Sequence, residues 1–437
     1  MQKIEQQTQH FLDFVSNATS PYHVVQTSID FLKENGFTEL DFTTNWSLTS
    51  NTAYYTKPYG TTLFAFRTPE SITPDSIFRI CASHTDHPAF RIKPNPDIQE
   101  KGYWKLNVET YGGAILNTWL DRPLSIAGKV ALKSNSVFYP DCRLMDSKRP
   151  LLTIPNLAIH MNRSINSGVE LNKQTDMLPL FSIFEPKMQP ESFVKFLANE
   201  LQVSSEDILD FDLYIYNTEE GCTFGLDQNL CSCPRLDNLT SVYSSLVGIT
   251  NCTGTENDFQ IALLYDNEEI GSRTKQGADS AITQILLEKM CSSFGTKKED
   301  YQNMLLKSFM VSADVAHALH PNHPEKNDVT NFARLDGGVA IKMSANQKYA
   351  TDTETIAALQ QLCMTNDIPF QKFVNRSDIP GGSTLGTITS SWLPMQTVDI
   401  GVPILAMHSA RETASICDIF ALQGLIEAFY SCPRSMD

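Results

Sequence analysis

Apolar residues at three- and four-residue spacing open the chain. Phe11 and Val15, then the run from Tyr22 to Leu32, predict helices, with Gly36 as a stop. Two strand-like runs follow at 61–66 and 77–83, the second breaking into His84-Thr85-Asp86-His87-Pro88. From about 92 to 230 the texture changes: strand-like stretches at 103–108 and 126–132 alternate with turns, and a helical pattern covers 191–201. After about residue 234, apolar strands at 259–265, 309–313 and 402–407 are separated by helical patterns at 278–291 and 353–363, and a helix at 414–430 closes the chain. Such alternation predicts an α/β fold, a sheet covered by helices on both faces. It divides the chain into an outer unit, residues 1–90 with 235–437, and a β-rich insertion at 91–234.

Composition narrows the function classes. Among 437 residues, 34 Lys+Arg against 50 Asp+Glu leave a formal net charge of −16. That balance repels phosphate backbones and argues against a nucleic-acid partner. A hydrophobic fraction of 41% suits a packed globular protein. No apolar run approaches the roughly 18–20 residues of a membrane span, and the first residues lack the apolar core of a signal peptide. The expectation is a soluble cytoplasmic protein with no membrane partner. The 10 cysteines are scattered without a Cys-x-x-Cys pair, which favours free thiols over disulfides or a thiolate zinc site.

Polar chemistry clusters just past the predicted strands. The run 77–83 leads into His84 and Asp86, and 259–265 leads into Asp266-Asn267-Glu268-Glu269. The run 309–313 ends at Asp314, 402–407 ends at His408, and Asp237 opens the helical stretch 239–246. Ligands of open α/β sheets bind at the carboxyl ends of strands. Taken singly, each residue has a plain structural reading: a satisfied histidine, an N-cap aspartate, a solvated Glu-Glu turn. Taken together, two histidines and several carboxylates form a nitrogen and oxygen donor set suited to two divalent cations, zinc first, with cobalt or manganese as alternatives. Spacing alone leaves both readings open.

The strings themselves carry more. They include Ser20-Pro21-Tyr22-His23, Ser83-His84-Thr85-Asp86, Asn117-Thr118-Trp119-Leu120-Asp121-Arg122-Pro123-Leu124 and Ile154-Pro155-Asn156-Leu157-Ala158-Ile159-His160. Further along stand Leu236-Asp237-Asn238, Asn267-Glu268-Glu269-Ile270-Gly271-Ser272 and Asp314-Val315-Ala316-His317-Ala318-Leu319-His320-Pro321-Asn322. The last are Asp378-Ile379-Pro380-Gly381-Gly382-Ser383-Thr384 and Met407-His408-Ser409-Ala410-Arg411-Glu412. In this order and nearly end to end, the chain resembles the aspartyl aminopeptidase family, di-metal enzymes that assemble into tetrahedral dodecamers.

The resemblance implies a helix-covered mixed sheet of the di-zinc aminopeptidase type, interrupted by a β-rich dimerisation domain. It implies two divalent metal ions per subunit, with Asp237 bridging both, His84 and Asp314 completing one set, and Glu269 and His408 the other. Glu268 becomes the general base and Asp86 the carboxylate that accepts from the His84 ring N–H. An extended backbone at Glu268-Glu269 would point the two side chains apart, one to metal and one to water. The implied activity is release of N-terminal residues, preferably Asp or Glu, from peptides through attack of a metal-activated water on the scissile carbonyl. Lys342 would face the substrate's acidic side chain, and His160 would reach into a partner subunit's site. The implied assembly is a homo-oligomer, a tetrahedral dodecamer built from dimers, with active sites facing an interior chamber.

Some positions depart from the family pattern. Asn156 stands where some relatives carry a histidine, and His87 stands where a small residue is common, an added imidazole able to alter metal affinity or become a ligand. His317, His320 and His323 have the spacing of a metal cluster but read as loop residues after Asp314. Rival readings are a co-catalytic aminopeptidase of other N-terminal specificity, or a deacylase, on the same fold, and a non-catalytic scaffold. All the candidate ligands and the base are present, which argues against the scaffold.

Overall fold

The computed structural model describes residues 2–183, 192–253 and 255–434. The opening periodicity forms α1 (Gln2–Asn17) and α2 (Pro21–Glu34). Pro21 occupies the start of α2, where its missing N–H is harmless, and Gly36 takes a left-handed φ of 81° just beyond the helix. Then come β1 (Thr38–Leu40), β2 (Ala53–Tyr59), β3 (Thr62–Arg67) and β4 (Phe78–His84).

The altered texture in mid-chain corresponds to a separate antiparallel sheet. It contains β5 (Ala89–Glu100), β6 (Tyr103–Tyr111), β7 (Leu124–Leu132), β8 (Asp141–Asp146), β9 (Leu180–Ile183) and β10 (Ile208–Asn217), in the order β8-β7-β10-β5-β6-β9. Helix α3 (Phe193–Leu201) packs Phe193 and Leu197 into the core of this sheet, and Ser192 caps it by accepting from the Lys195 N–H. Glu191, the first residue of the predicted helix, lies outside the described residues.

The chain then returns to the first sheet with β11 (Cys222–Phe224), β12 (Leu230–Cys233), α4 (Leu236–Asn251), β13 (Phe259–Tyr265), α5 (Ile282–Ser293), α6 (Lys298–Lys307) and β14 (Phe309–His317). It ends with β15 (Val339–Met343), α7 (Thr353–Thr365), β16 (Phe370–Val374), α8 (Leu385–Trp392), β17 (Gln396–Leu405), β18 (Glu412–Ser415) and α9 (Ile416–Ser431). The order is β1-β2-β3-β13-β4-β14-β17-β18-β12-β11, with β15 paired to β17 and β16 to β15. Two short strands differ from the sequence expectation. β11 and β12 fall inside the predicted insertion, yet β12 pairs antiparallel with β18 in the larger sheet, so the six-stranded sheet ends at Asn217. The last helix starts at Ile416 because residues 412–415 are held by that same pairing.

At the centre, β13, β4, β14 and β17 run parallel. Their side chains alternate between two buried faces, which is why these strands read as continuous apolar runs. Phe259, Ile261 and Leu263 face a core shared with α5 and α6, whereas Ala262 and Leu264 face the core under α1, α2, α4 and α9. No helix among the described residues is long and apolar enough to cross a membrane. All ten cysteines are free thiols.

Helices α4 and α9 approach closely at Gly248, where an added Cβ would lie 2.5 Å from Ile426 Cγ2 and 3.1 Å from the Glu427 nitrogen. Gly248→Ala is therefore expected to destabilise the fold by about 1–3 kcal/mol through overpacking, despite alanine's better helix propensity. Denaturant unfolding of the variant measures this.

Candidate metal centre

Four parallel strands end at one edge of the large sheet, and each brings polar side chains there. β4 closes at His84, β13 hands on to Asp266 through Glu269, β14 carries Asp314, and β17 leads into His408. The registers Tyr265↔His84 and Ser312↔Ala82 set these strand ends level. β14 continues past Asp314 to His317 beside β17, so Asp314 lies within a strand and His317 closes it. The expectation that His317 is a loop residue is corrected by that pairing. Asp237 enters from the first turn of α4, where its backbone is not yet helical; the N-cap position is Arg235, and no side-chain cap bond forms there.

The side chains converge as two triads sharing one carboxylate. His84 Nε2 lies 3.4 Å from Asp237 Oδ1 and 3.6 Å from Asp314 Oδ1. His408 Nε2 lies 3.3 Å from Asp237 Oδ2 and 3.4 Å from Glu269 Oε2. These separations exceed the usual N–H···O range of about 2.7–3.2 Å. They match the edge of a coordination tetrahedron, since bonds of about 2.1 Å place ligand atoms roughly 3.4 Å apart. Ligand atoms of His84, Asp237 and Glu269 all lie within 4.8 Å of one another. Asp237 Oδ1 and Glu269 Oε1 are buried without a hydrogen-bond partner. Orphaned anionic oxygens facing imidazole nitrogens are what divalent cations satisfy, so the donor set fits zinc.

Each donor is oriented from behind. His84 Nδ1 lies 3.0 Å from the main-chain carbonyl of Asp86 and 3.3 Å from its carboxylate. The expected acceptor was the carboxylate; the carbonyl is nearer, and either leaves Nε2 free. The Asp86 carboxylate instead receives the Glu268 and Glu269 N–H groups, both at 3.1 Å, and the Tyr111 hydroxyl at 2.7 Å. His408 Nδ1 faces the Gly113 carbonyl at 3.2 Å. An added Cβ at Gly112, whose φ is 69°, would sit 3.2 Å from the Glu269 Cβ, so glycine lets this loop pass over the site. Tyr111 and Gly113 belong to the six-stranded sheet and its following loop. Glu412, buried, accepts from the main-chain nitrogens of His408 at 2.7 Å and Asp237 at 3.0 Å, tying two donor segments together.

Glu268 and Glu269 lie in a 3-10 turn, Glu268–Ile270, entered through Asn267 at φ 61°. The condition of an extended backbone is not met there, so strand alternation does not set the directions of the two side chains. The Glu268 carboxylate forms no hydrogen bond with another described residue, and it lines a cavity of about 390 Å³ together with His84, Asp237, Glu269, Asp314 and His408. Burial, then the neighbouring Asp314, Asp86 and Asp237, push Glu268 up to about 8 despite His84. Burial opposes ionisation of Asp314 too, but the Lys342 ammonium and His84 outweigh it and hold that carboxyl well below its usual range. Lys342, 2% exposed, donates to Asp314 Oδ2 at 3.0 Å and to the Val315 carbonyl at 3.1 Å, and lies 5.2 Å from the Tyr349 ring.

The predicted residues His84, Asp86, Asp237, Glu268, Glu269, Asp314, Lys342 and His408 thus meet at one place. His160 does not: it lies on an exposed turn away from this cavity, and its apolar neighbours Leu157 and Ile159 are exposed rather than core. His87 is also absent from the cavity wall. Asn156 is held by Asp121, donating Nδ2 to Oδ2 at 2.9 Å. Tyr111, Gly113 and Glu412 were given no role by the sequence reading. Only Glu412 carried a signal, as the end of the His408 string, because tyrosine and a main-chain carbonyl announce nothing by spacing.

Fold and donor set together define a metal-dependent hydrolase of the helix-covered mixed-sheet type. Residues 14–430 match the model of the peptidase M18 family, aminopeptidase I zinc metalloprotease. The "Probable M18 family aminopeptidase 2" of Clostridium acetobutylicum is 44% identical over 422 residues, 96% of this chain and 97% of that one. A protein of the same description from Pseudomonas savastanoi is 36% identical over 96% of this chain and 97% of its own. Among solved structures, Ape4 in its complex with Nbr1 superposes with a TM-score of 0.93 at 32% identity, covering 98% of this chain and 86% of that one. The chain belongs to the peptidase M18 family and is a zinc metalloprotease, an aminopeptidase.

Because the Asp86 carboxylate holds the turn at Glu268 and Glu269 and lies beside the His84 ring, Asp86→Ala is expected to cost about 10–100-fold in zinc affinity or activity while leaving the fold intact. Zinc titration and circular dichroism test this together.

Proposed function

We propose that the chain is a two-metal aminopeptidase preferring acidic N-terminal residues, working as a homo-oligomer. The observation that carries the metal assignment is the Asp237 carboxylate, with one oxygen 3.4 Å from His84 Nε2 and the other 3.3 Å from His408 Nε2. His84, Asp237 and Asp314 would hold one ion and His408, Asp237 and Glu269 the other. Zinc bound there supplies Lewis acidity, which polarises a carbonyl and makes water a stronger acid.

Glu268 is the proposed base. Its carboxylate faces the cavity without a competing partner, while its main-chain N–H is pinned by Asp86. It takes the proton of the attacking water and returns it to the leaving amine. Asp86 and Tyr111 hold the turn that aims Glu268, and the Gly113 carbonyl holds the His408 ring. Lys342 is the proposed acidic selector. Two of its three N–H donors go to Asp314 and Val315, which leaves the third for a substrate carboxylate. His317 and Tyr349 line the same cavity and would flank the bound residue.

His160 is read as a contribution to a second copy's site. Its turn is exposed and carries Leu157, Ile159 and Met161 at 57%, 49% and 74% exposure, an apolar loop suited to burial between subunits. One similar structure is described as the mApe1 dodecamer of S. cerevesiae, with a TM-score of 0.84 at 25% identity, covering 97% of this chain and 95% of that one.

Glu268→Gln is expected to lower turnover by about 10²–10⁴-fold or more with zinc content unchanged. Near-normal activity in that variant would remove the base assignment. Peptide substrates beginning with Asp, Glu and Leu should rank acidic over Leu in kcat/KM, and Lys342→Met should shrink that ratio. A clear Leu preference in the unaltered enzyme would end the acidic reading, though not the aminopeptidase one.

A further inference from the structure

Asp399 lies in the middle of β17, fully buried, and has no place in the wall of the metal cavity. Strands flank it on both sides. The parallel register sets Ser312 of β14 opposite it. The antiparallel pairs Ala340↔Gly401 and Ile341↔Ile400, carried on by one residue, bring Lys342 of β15 abreast of it on the same face. The Lys342 charge acts on the Asp399 carboxylate, and the reverse.

The carboxylate oxygens are nevertheless spent elsewhere. Oδ2 accepts the Ala350 N–H at 2.7 Å, and Oδ1 accepts the Thr384 hydroxyl at 2.6 Å. The Asp399 main-chain N–H goes to Thr351 Oγ1 at 2.9 Å. These partners belong to two irregular connections, residues 344–352 between β15 and α7 and residues 375–384 between β16 and α8. Both connections supply wall to the metal cavity, the first through Tyr349 and the second through Gly382, Ser383 and Thr384. The Tyr349 ring lies 5.2 Å from the Lys342 ammonium, and its hydroxyl accepts from Asn375 Nδ2 at 3.0 Å. Glycines let the second connection close in: an added Cβ at Gly381 would collide with the Asn375 amide, and one at Gly386 with the Asp399 carboxylate. Irregular segments are mobile unless tied down. Here one buried carboxylate ties two of them, through short charge-assisted bonds, beside the same ammonium.

We propose that Asp399 is a positioning residue for acidic selection, fixing the Tyr349 segment and the Gly382–Thr384 loop beside Lys342 and so setting where a substrate's side-chain carboxylate can sit. This rests on the reading of Lys342 as the acidic selector. Asp399 itself touches neither metal nor substrate and acts through its two anchors.

Two substitutions separate anchoring from bulk stability. Asp399→Ala removes both anchors, whereas Asp399→Asn can accept from the Ala350 N–H and donate to Thr384 Oγ1. With peptides beginning with Asp and with Leu, Asp399→Ala should lower the Asp-over-Leu ratio of kcat/KM by about tenfold, the worth of one charge-assisted hydrogen bond, through KM for the Asp peptide. Asp399→Asn should hold the ratio within about threefold of the unaltered enzyme. A purely structural role would lower the active fraction for both peptides alike and leave the ratio where it was. If the alanine variant does not fold, Thr384→Val, which removes one anchor and keeps the volume, carries the test with a drop of about threefold. An unchanged ratio would overturn the proposal, and so would an asparagine variant as impaired as the alanine one. Should Lys342→Met erase the ratio while Asp399→Ala leaves it, only the Asp399 role falls. An unaltered enzyme without acidic preference removes both readings.

Discussion

The Asp237 carboxylate stands between two imidazoles that come from opposite ends of the sequence, and the surrounding structure is organised around its negative charge. Asp237, Glu269 and Asp314 are carboxylates crowded at one sheet edge, with Glu268 and Asp86 close behind. Such a group repels itself strongly in a low-dielectric interior. Lys342 relieves Asp314 and main-chain N–H groups relieve Asp86, but Asp237 Oδ1 and Glu269 Oε1 have no protein hydrogen-bond partner. The protein's own groups leave this balance incomplete on the side facing the cavity. Zinc chemistry of the M18 family supplies what is missing.

The two sheets are coupled through that same place. The large sheet supplies the proposed donors, and the six-stranded sheet with its following loop supplies groups that hold them: the Tyr111 hydroxyl on Asp86 and the Gly113 carbonyl on His408. A histidine ligand needs its second nitrogen fixed to present the correct tautomer. Here one such contact comes from each sheet, the Asp86 carbonyl for His84 and the Gly113 carbonyl for His408. The six-stranded sheet therefore does more than extend the surface, since the loop after β6 holds the His408 ring.

Much of this was legible in the residue pattern. The central parallel strands are buried on both faces, so they stand out as apolar runs, and strand-end chemistry marked His84, Glu268, Glu269, Asp314 and His408 in advance. The short strands β11, β12 and β18 were not legible, because a strand of three or four residues has no periodicity to display and is held only by its pairing. The turn at Glu268–Ile270 was not legible for the same local reason.

Periodicity and side-chain chemistry, which are local properties of the chain, were enough to determine the α/β class, the change of texture in mid-chain and the polar residue types at strand ends. Only the folded chain decided which atoms face each other. The register of β4 against β13 and β14, the passage of Gly112-Gly113 over Glu269 and His408, and the absence of His87 from the cavity wall are products of packing between segments distant in sequence. Spacing along a chain carries no record of such contacts, because they depend on how whole layers settle against one another.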